Sequence, residues 1–360
     1  MSDEAPAASR EKEARLEGEA LREAFLNQRE SGVILRARDA ARALGVSECE
    51  LVACREGDGV ARLDGDFADI LRALPAVGEV MVLTRNEHCV HEKHGAFDNV
   101  HIGPGQALVV NDEVDLRLSM GHWRYGFLIT EEAPTGVHTS LQFFDLDGTA
   151  VHKIYVTEET NRAAFDAIVE RFKSKKPLPP LAILPPPPKK PERPDAEIDA
   201  ALFLAHWAAL QDTNDFVPLI QDFGLSHLQA MRLAEGRFAH RAEPASLRLM
   251  LKAAAETQTP IICFVGNPGC IQGHTGPIET VKATGPWFNI LDPRFNLHLR
   301  EDAIAEAWVA KKPTKDGIVT SLELFDADGF CFVLFFGKRK SGQAELESWR
   351  SIIASLPRHS

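Results

Sequence analysis

The chain has six cysteines, at 49, 54, 89, 263, 270 and 331, and no two of them form a Cys-x-x-Cys pair. The spacing of paired-thiol redox and metal motifs is therefore missing. No apolar run approaches the roughly 20 residues that a helix needs to cross a bilayer. Positive charge is in deficit as well: 40 Lys and Arg stand against 52 Asp and Glu, a net of −12. That balance argues against a nucleic-acid partner, because neutralising phosphates needs a basic face. It leaves room for a local basic patch facing a small anion. There is no Gly-x-Ser-x-Gly, no P-loop and no Gly-x-Gly-x-x-Gly, and Gly103-Pro104-Gly105 reads as a turn. Residues 1–20, rich in Ala, Glu and Arg, read as a charged, fraying start and not as a secretory signal. A soluble, reduced, cytoplasmic protein is the expectation.

What the chain does have is a copy of itself. Residues 80–150 laid over 261–331, at a constant offset of 181, coincide at fourteen positions. They include Asn86/Asn267, Cys89/Cys270, Gly95/Gly276, Leu116/Leu297, Leu118/Leu299 and Gly148/Gly329. Upstream the register slips by two residues, and Gly45-Val46-Ser47 answers Gly224-Leu225-Ser226. A period this long signals a duplicated domain and not a solenoid. Residues 174–197 separate the copies with a proline-rich stretch that includes Pro185 to Pro188, and it reads as an extended spacer. The organisation expected is a first repeat over 21–173 and a second over 198–360.

Each repeat opens with helical periodicity, over 16–30 and 36–55 in the first and over 198–222 and 226–235 in the second. Ser47 and Ser226 suit N-caps, with Glu50 placed to complete a capping box after Ser47. Short strand-like runs follow at Glu79–Thr84, Ala107–Val110, Asp115–Leu118 and Thr139–Phe144, with partners at Pro260–Val265, Trp287–Leu291, Asn296–Leu299 and Thr320–Phe325. Asp147-Gly148 and Asp328-Gly329 predict hairpin turns of type I′. A stripe of Phe165, Ile168, Val169 and Phe172, matched by Trp349, Ile352, Ile353 and Leu356, closes each repeat with an amphipathic helix. The fold class is α+β: a tandem duplication in which each repeat is a large antiparallel β-sheet with flanking helices.

The densest polar cluster is Thr84 to Gly95, with His88, His91 and His94. On a helix their spacing would suit a metal; on a strand His88 and His91 point to opposite sides, and the strand context is the stronger. A single imidazole projecting into a cleft stays compatible with a metal carried by a cofactor. Arg117 and His298 are repeat equivalents between leucines, so each either lines a pocket or belongs to a solvated strand face. Arg300, Lys311 and Lys312 could add positive charge to the same surface.

The stretches Leu83 to Gly95, Phe264 to Asn267, Trp287 to Arg300 and Lys312 to Leu324 resemble the HemS-like haem-utilisation proteins of Gram-negative bacteria, also labelled haemin-degrading factors. The resemblance covers nearly the whole chain. It implies haem held in a cleft beside the second repeat and a role in iron acquisition. It also implies a cytoplasmic protein that takes haem from an ABC transporter and passes it to a haem oxygenase, or else opens the macrocycle itself. The carrier is the favoured reading, since no electron-transfer cofactor motif is visible; a degrading oxygenase, or a divergent member handling another tetrapyrrole, is the alternative.

The resemblance also carries residues over. Its proximal iron ligand is a histidine in an Asp-x-His-x-Phe context seven residues after a tryptophan. Here the tryptophan is Trp207, the context is Asp212 to Phe216, and the ligand position holds Asn214. An amide is a poor ligand for ferric haem. The distal arginine in Leu-Arg-Leu matches Arg117, and a second histidine contact in the first repeat matches His91. Three outcomes follow: His206 substitutes as iron ligand, His91 does, or tight ferric-haem binding is lost.

Overall fold

In the computed structural model, residues 15–31, 36–133, 136–339 and 342–359 are described. Most of the charged N-terminal stretch lies outside them.

Two nine-stranded antiparallel sheets form the centre. The first runs, edge to edge, Val60–Arg62, Tyr125–Ala133, Gly136–Phe144, Ala150–Thr160, Gly78–Arg85, Cys89–Ala96, Phe295–Arg300, Trp287–Asp292 and Val281–Thr284. The second runs Ala239–Ala242, Glu306–Thr314, Gly317–Phe325, Cys331–Gly337, Ile261–Asn267, Cys270–Gly276, Asp115–Ser119, Gln106–Val110 and Val100–Gly103. The class is the expected one, with one correction. A sheet is not the property of one repeat, because each takes six strands from one copy and three from the other.

Packing follows a different rule from hydrogen bonding. The core under helices Phe67–Ala73 and Arg162–Phe172 draws its buried members from the first repeat, apart from Cys270. The core under helices Ser246–Glu256 and Glu347–Ala354 draws them from the second, apart from Cys89. The exchanged strands thus bury their apolar side chains at home and donate their backbone edges across the seam. This leaves fewer unpaired strand edges, which would otherwise invite aggregation.

The contacts at the seam explain several of the coincident positions. Asn86 Nδ2 donates to the carbonyls of Gly266 and Phe332, and Asn267 Nδ2 donates to those of Arg85 and Val151. These contacts interchange under the offset, as residues related by an approximate two-fold axis must. On the axis itself, equivalents touch each other. Gln272 Nε2 lies 2.7 Å from His91 Nδ1, Lys93 Nζ 2.8 Å from His274 Nδ1, and Arg294 Nη2 2.9 Å from Glu113 Oε1.

Two local expectations hold and two need correction. Ser47 closes a capping box with Glu50, and Ser226 Oγ accepts from the Gln229 amide. The helix expected over 198–222 is broken instead into Ala200–Ala208, a 3-10 turn at Thr213–Asp215 and a helix at Phe216–Asp222. Asp212 causes the break: its carboxylate takes the Asn214 amide as a cap and so starts a new element. The Asp-Gly turns are not type I′. Only Gly148 and Gly329 have positive φ, +79° and +75°, and the strand registers shift beside them, so each hairpin closes on a five-residue loop.

Candidate functional site

Each sheet has an outer face, and helices cover only part of it. On the second sheet, helices Ala200–Ala208, Phe216–Asp222 and His227–Leu233 pack over Trp308, Ala310 and Phe325 and form an aromatic cluster with Trp207 and Phe216. Beyond that roof the face lies open. Leu108, Val110 and Ile271 are 43 %, 46 % and 42 % exposed, unusually bare for large aliphatic side chains. They share a face by register, since Leu108 pairs with Arg117 and Arg117 pairs with Ile271.

The floor is flat and apolar for identifiable reasons. Gly273 sits between Phe264 and Asp115, and a Cβ there would come within 2.8 Å and 2.9 Å of their side-chain atoms. Gly266 beside Ile271 likewise lacks a side chain to raise the surface. Phe264 and Phe336 lie edge to face with centroids 6.2 Å apart. Two cations border them. The Arg117 guanidinium stands 4.9 Å from the Phe264 centroid and is held by Asp115 Oδ1 at 2.7 Å. Lys312 Nζ lies 4.5 Å from the Phe216 ring and 5.2 Å from Phe336, and 2.5 Å from Glu323 Oε1. Lys312 therefore ties the floor to Phe216, two residues after Asn214. The Asn214 turn lies beside the end of strand Glu306–Thr314, where Lys315 N donates to the Gln211 carbonyl at 3.0 Å, and Asn214 is exposed.

The other candidates scatter. His206 is exposed, and its ring packs edge-on against Phe223, centroids 5.6 Å apart. His91, one of the three alternatives for the iron ligand, does not project into a cleft. It is fully buried on the inner face of its strand at the seam, and its Nδ1 is taken by Gln272. Burial and the nearby His274 and Lys93 hold it neutral, far below its usual titration range. Arg117 and His298 do not share a surface, because the strand exchange puts Arg117 on the second sheet and His298 on the first. His298 bonds Asn289 Oδ1 at 2.8 Å, and Arg300 grips Asp302 with both Nε and Nη2. Of the residues named for added charge, Lys312 lies on the same sheet as Arg117 but is buried and paired with Glu323, so it adds no charge to the open face.

Phe264, Phe336, Ile271 and the glycine at 273 went unnoticed in the sequence, because their strands look like ordinary half-buried strands. The signal was their divergence from the first copy, which has Leu83, Tyr155, Val90 and Glu92 in their places. Among the described residues one cluster has metal-ligand proximity: His227, Glu323 and Cys331 have donor atoms within 4.8 Å of one another. Lys312 already supplies the cation there, and burial together with Glu323 pushes the Cys331 thiol up and keeps it protonated. We read it as a buried ion network.

Comparison with known proteins agrees with this architecture. The Haemin-degrading HemS.ChuX domain matches twice, over residues 45–172 and 224–356. The hemin transport protein HemS of Yersinia enterocolitica is 42 % identical over 324 residues, covering 89 % of this chain and 92 % of that protein. The holo form of PhuS, a heme-binding protein from Pseudomonas aeruginosa, superposes with a TM-score of 0.91 at 44 % identity, covering 94 % of this chain and 99 % of that one. The Escherichia coli O157:H7 heme degrading enzyme ChuS superposes at 0.87 with 37 % identity, covering 94 % and 98 %. With a duplicated match, an exchanged double sheet and near-complete coverage, this chain belongs to the HemS/ChuX haemin-degrading family.

Proposed function

We propose that this chain binds one haem on the open outer face of the second sheet. It takes the haem at the cytoplasmic side of an ABC transporter, carries it through the cytoplasm and delivers it to a haem oxygenase. One observation carries the reading: a flat apolar floor of Phe264, Phe336 and Ile271, bordered by Arg117, lies open beyond the helical roof of the second sheet. An apolar macrocycle with anionic propionates asks for that combination, since the floor buries the ring and Arg117 can meet a carboxylate. The residues fit haem as cargo, with one weak point at the iron, where Asn214 offers an amide. Hemin transport by the 42 % identical HemS supports the carrier role.

Spectrophotometric titration with ferric haem should give a shifted Soret band saturating at one equivalent. Arg117→Ala should weaken binding about tenfold, roughly 1.4 kcal/mol, the scale of one charge-assisted contact. No Soret shift at about 50 µM haem, an affinity floor near 6 kcal/mol, would sink the haem reading. A wild-type spectrum and affinity in Arg117→Ala would return that residue to the solvated face.

A second reading has its own support: ChuS, 37 % identical over nearly the same span, is described as a heme degrading enzyme. Loading the protein with haem anaerobically, adding ascorbate and then admitting air separates the two. A carrier keeps its Soret band until a haem oxygenase is added, and an enzyme loses it unaided.

A further inference from the structure

The first sheet has the matching outer face, and its chemistry has changed. Helices Ala37–Ala43 and Glu48–Ala53 roof a cavity of about 310 Å³ over strands Gly78–Arg85, Cys89–Ala96 and Ala150–Thr160. At the offset of 181, the flat floor of the second cleft becomes polar: Gly266 is answered by Arg85, Gly273 by Glu92, Leu334 by Lys153 and Phe336 by Tyr155. A tetrapyrrole ring has no apolar floor here, and desolvating these charges against a macrocycle would be costly.

The cavity lining holds five cations, Arg36, Arg38, Arg55, Arg85 and Lys153, against three carboxylates, Glu48, Glu92 and Glu131. This excess of two positive charges sits in a chain of net charge −12. Most of the charges are spoken for. Lys153 Nζ lies 2.5 Å from Glu48 Oε1, Arg55 Nη1 lies 3.2 Å from Glu131 Oε2, and Arg38 pairs with Glu87 outside the cavity. Among the described residues, Arg85 and Arg36 have no carboxylate within ion-pair distance, and the buried Arg85 Nε has no hydrogen-bond partner. An unpaired, largely buried guanidinium is a cost that the fold sustains alongside a cavity. Burial, followed by the neighbouring Arg85 and Arg42, also draws Arg38 down to about 10.

We propose that this first-repeat cavity binds a compact oxyanion of two or more negative charges, a polycarboxylate or a phosphate, gripped by Arg85 and Arg36. The planar guanidinium of Arg85 suits two-point capture of a carboxylate or phosphoryl group. Tyr155 adds a hydroxyl from the floor. The volume admits a small metabolite-sized anion and lies at the lower end of ordinary ligand pockets. The duplication thus provides one apolar cleft and one polar cavity.

Calorimetric titration of the full-length, haem-free protein with citrate and, separately, with pyrophosphate tests this, the two probes distinguishing carboxylate from phosphate. We expect one site with Kd below about 1 mM for at least one probe, weakening as salt rises. Arg85→Gln should weaken that binding at least about tenfold, and Arg85→Lys by less, since it keeps the charge and loses the fork. Arg36→Gln, at an exposed position, is the variant that cannot be dismissed as misfolded, and it should also weaken binding. The haem titration should be unchanged in both Gln variants, which separates failure here from failure of the haem reading. Absence of heat from both probes at about 10 mM, or wild-type affinity in Arg85→Gln and Arg36→Gln, overturns the proposal. So does a second haem equivalent that Arg85→Gln abolishes.

Discussion

On the proposed haem reading, Asn214 is the residue on which affinity should turn. It stands exposed among the helices over the second sheet, two residues before Phe216, whose ring touches Lys312. Asn214→His places an imidazole there, and imidazole ligates ferric haem iron where a neutral amide scarcely does. Affinity should rise by about tenfold or more, some 1.4 kcal/mol, and the absorption spectrum should move to a histidine-ligated form. Unchanged spectrum and affinity would mean that the iron sits elsewhere. The same substitution combined with His206→Ala shows whether His206, packed on Phe223, had any share in ligation. The sequence marked Asn214, Arg117 and Lys312. It could not show that His91 faces inward, because alternation on a strand says that neighbours differ in side but not which side is outer.

At the scale of elements, local signals were readable where local chemistry decides. The Ser47–Glu50 capping box forms with the Glu50 amide donating to Ser47 Oγ at 3.2 Å and the Ser47 amide donating to Glu50 Oε2 at 2.8 Å. Ser226 does the same work four residues before Ala230 with its Oγ 3.0 Å from the Gln229 amide. Ser47→Ala should cost about 1 kcal/mol of stability, and Ser226→Ala a comparable amount, measured by urea denaturation. A loss below about 0.3 kcal/mol at both sites would show that tertiary packing alone holds these helices. The helix boundary at Asp212 and the turn type at Asp147-Gly148 were misread for one reason. Periodicity and dipeptide identity do not reveal which side chain captures a backbone amide or how the flanking strands are offset. Gly148 is also constrained from outside: a Cβ there would meet Ser47 Oγ at 2.2 Å.

For the whole molecule, the seam sets the response to acid. His91, His152 and His274 are buried there, and burial holds His152 and His274 down to about 3 and His91 well below its usual value. Unfolded histidines titrate near 6.5. Below that pH the unfolded chain binds protons that the folded chain refuses, so stability falls as pH drops from about 6.5 towards 3. The slope is at most about 1.4 kcal/mol per pH unit for each histidine. Glu323, held well below its usual range by Lys312 and His227 against the opposing effect of burial, adds to the loss in the carboxylate range. Glu92 and Glu345, raised by burial, oppose it in part. Thermal melts should show the midpoint falling between pH 6.5 and 5, and replacing His152 with Gln should flatten that dependence. A melting temperature that is level over this interval would contradict the assignment.

The duplication, the fold class and the helix caps could all be read from the sequence, because each depends on residue identity at fixed spacing. Which repeat owns which cleft could not. The two copies trade three strands apiece, so Arg117 of the first repeat lines the cleft of the second, and His298 of the second lies on the sheet of the first. Backbone hydrogen bonds have no residue-specific code, and the apolar alternation of Asp115–Ser119 is satisfied by the same home core whichever sheet takes its edges. Only the assembled pair of sheets decided that partnership, and with it the apolar character of one cleft and the charged character of the other.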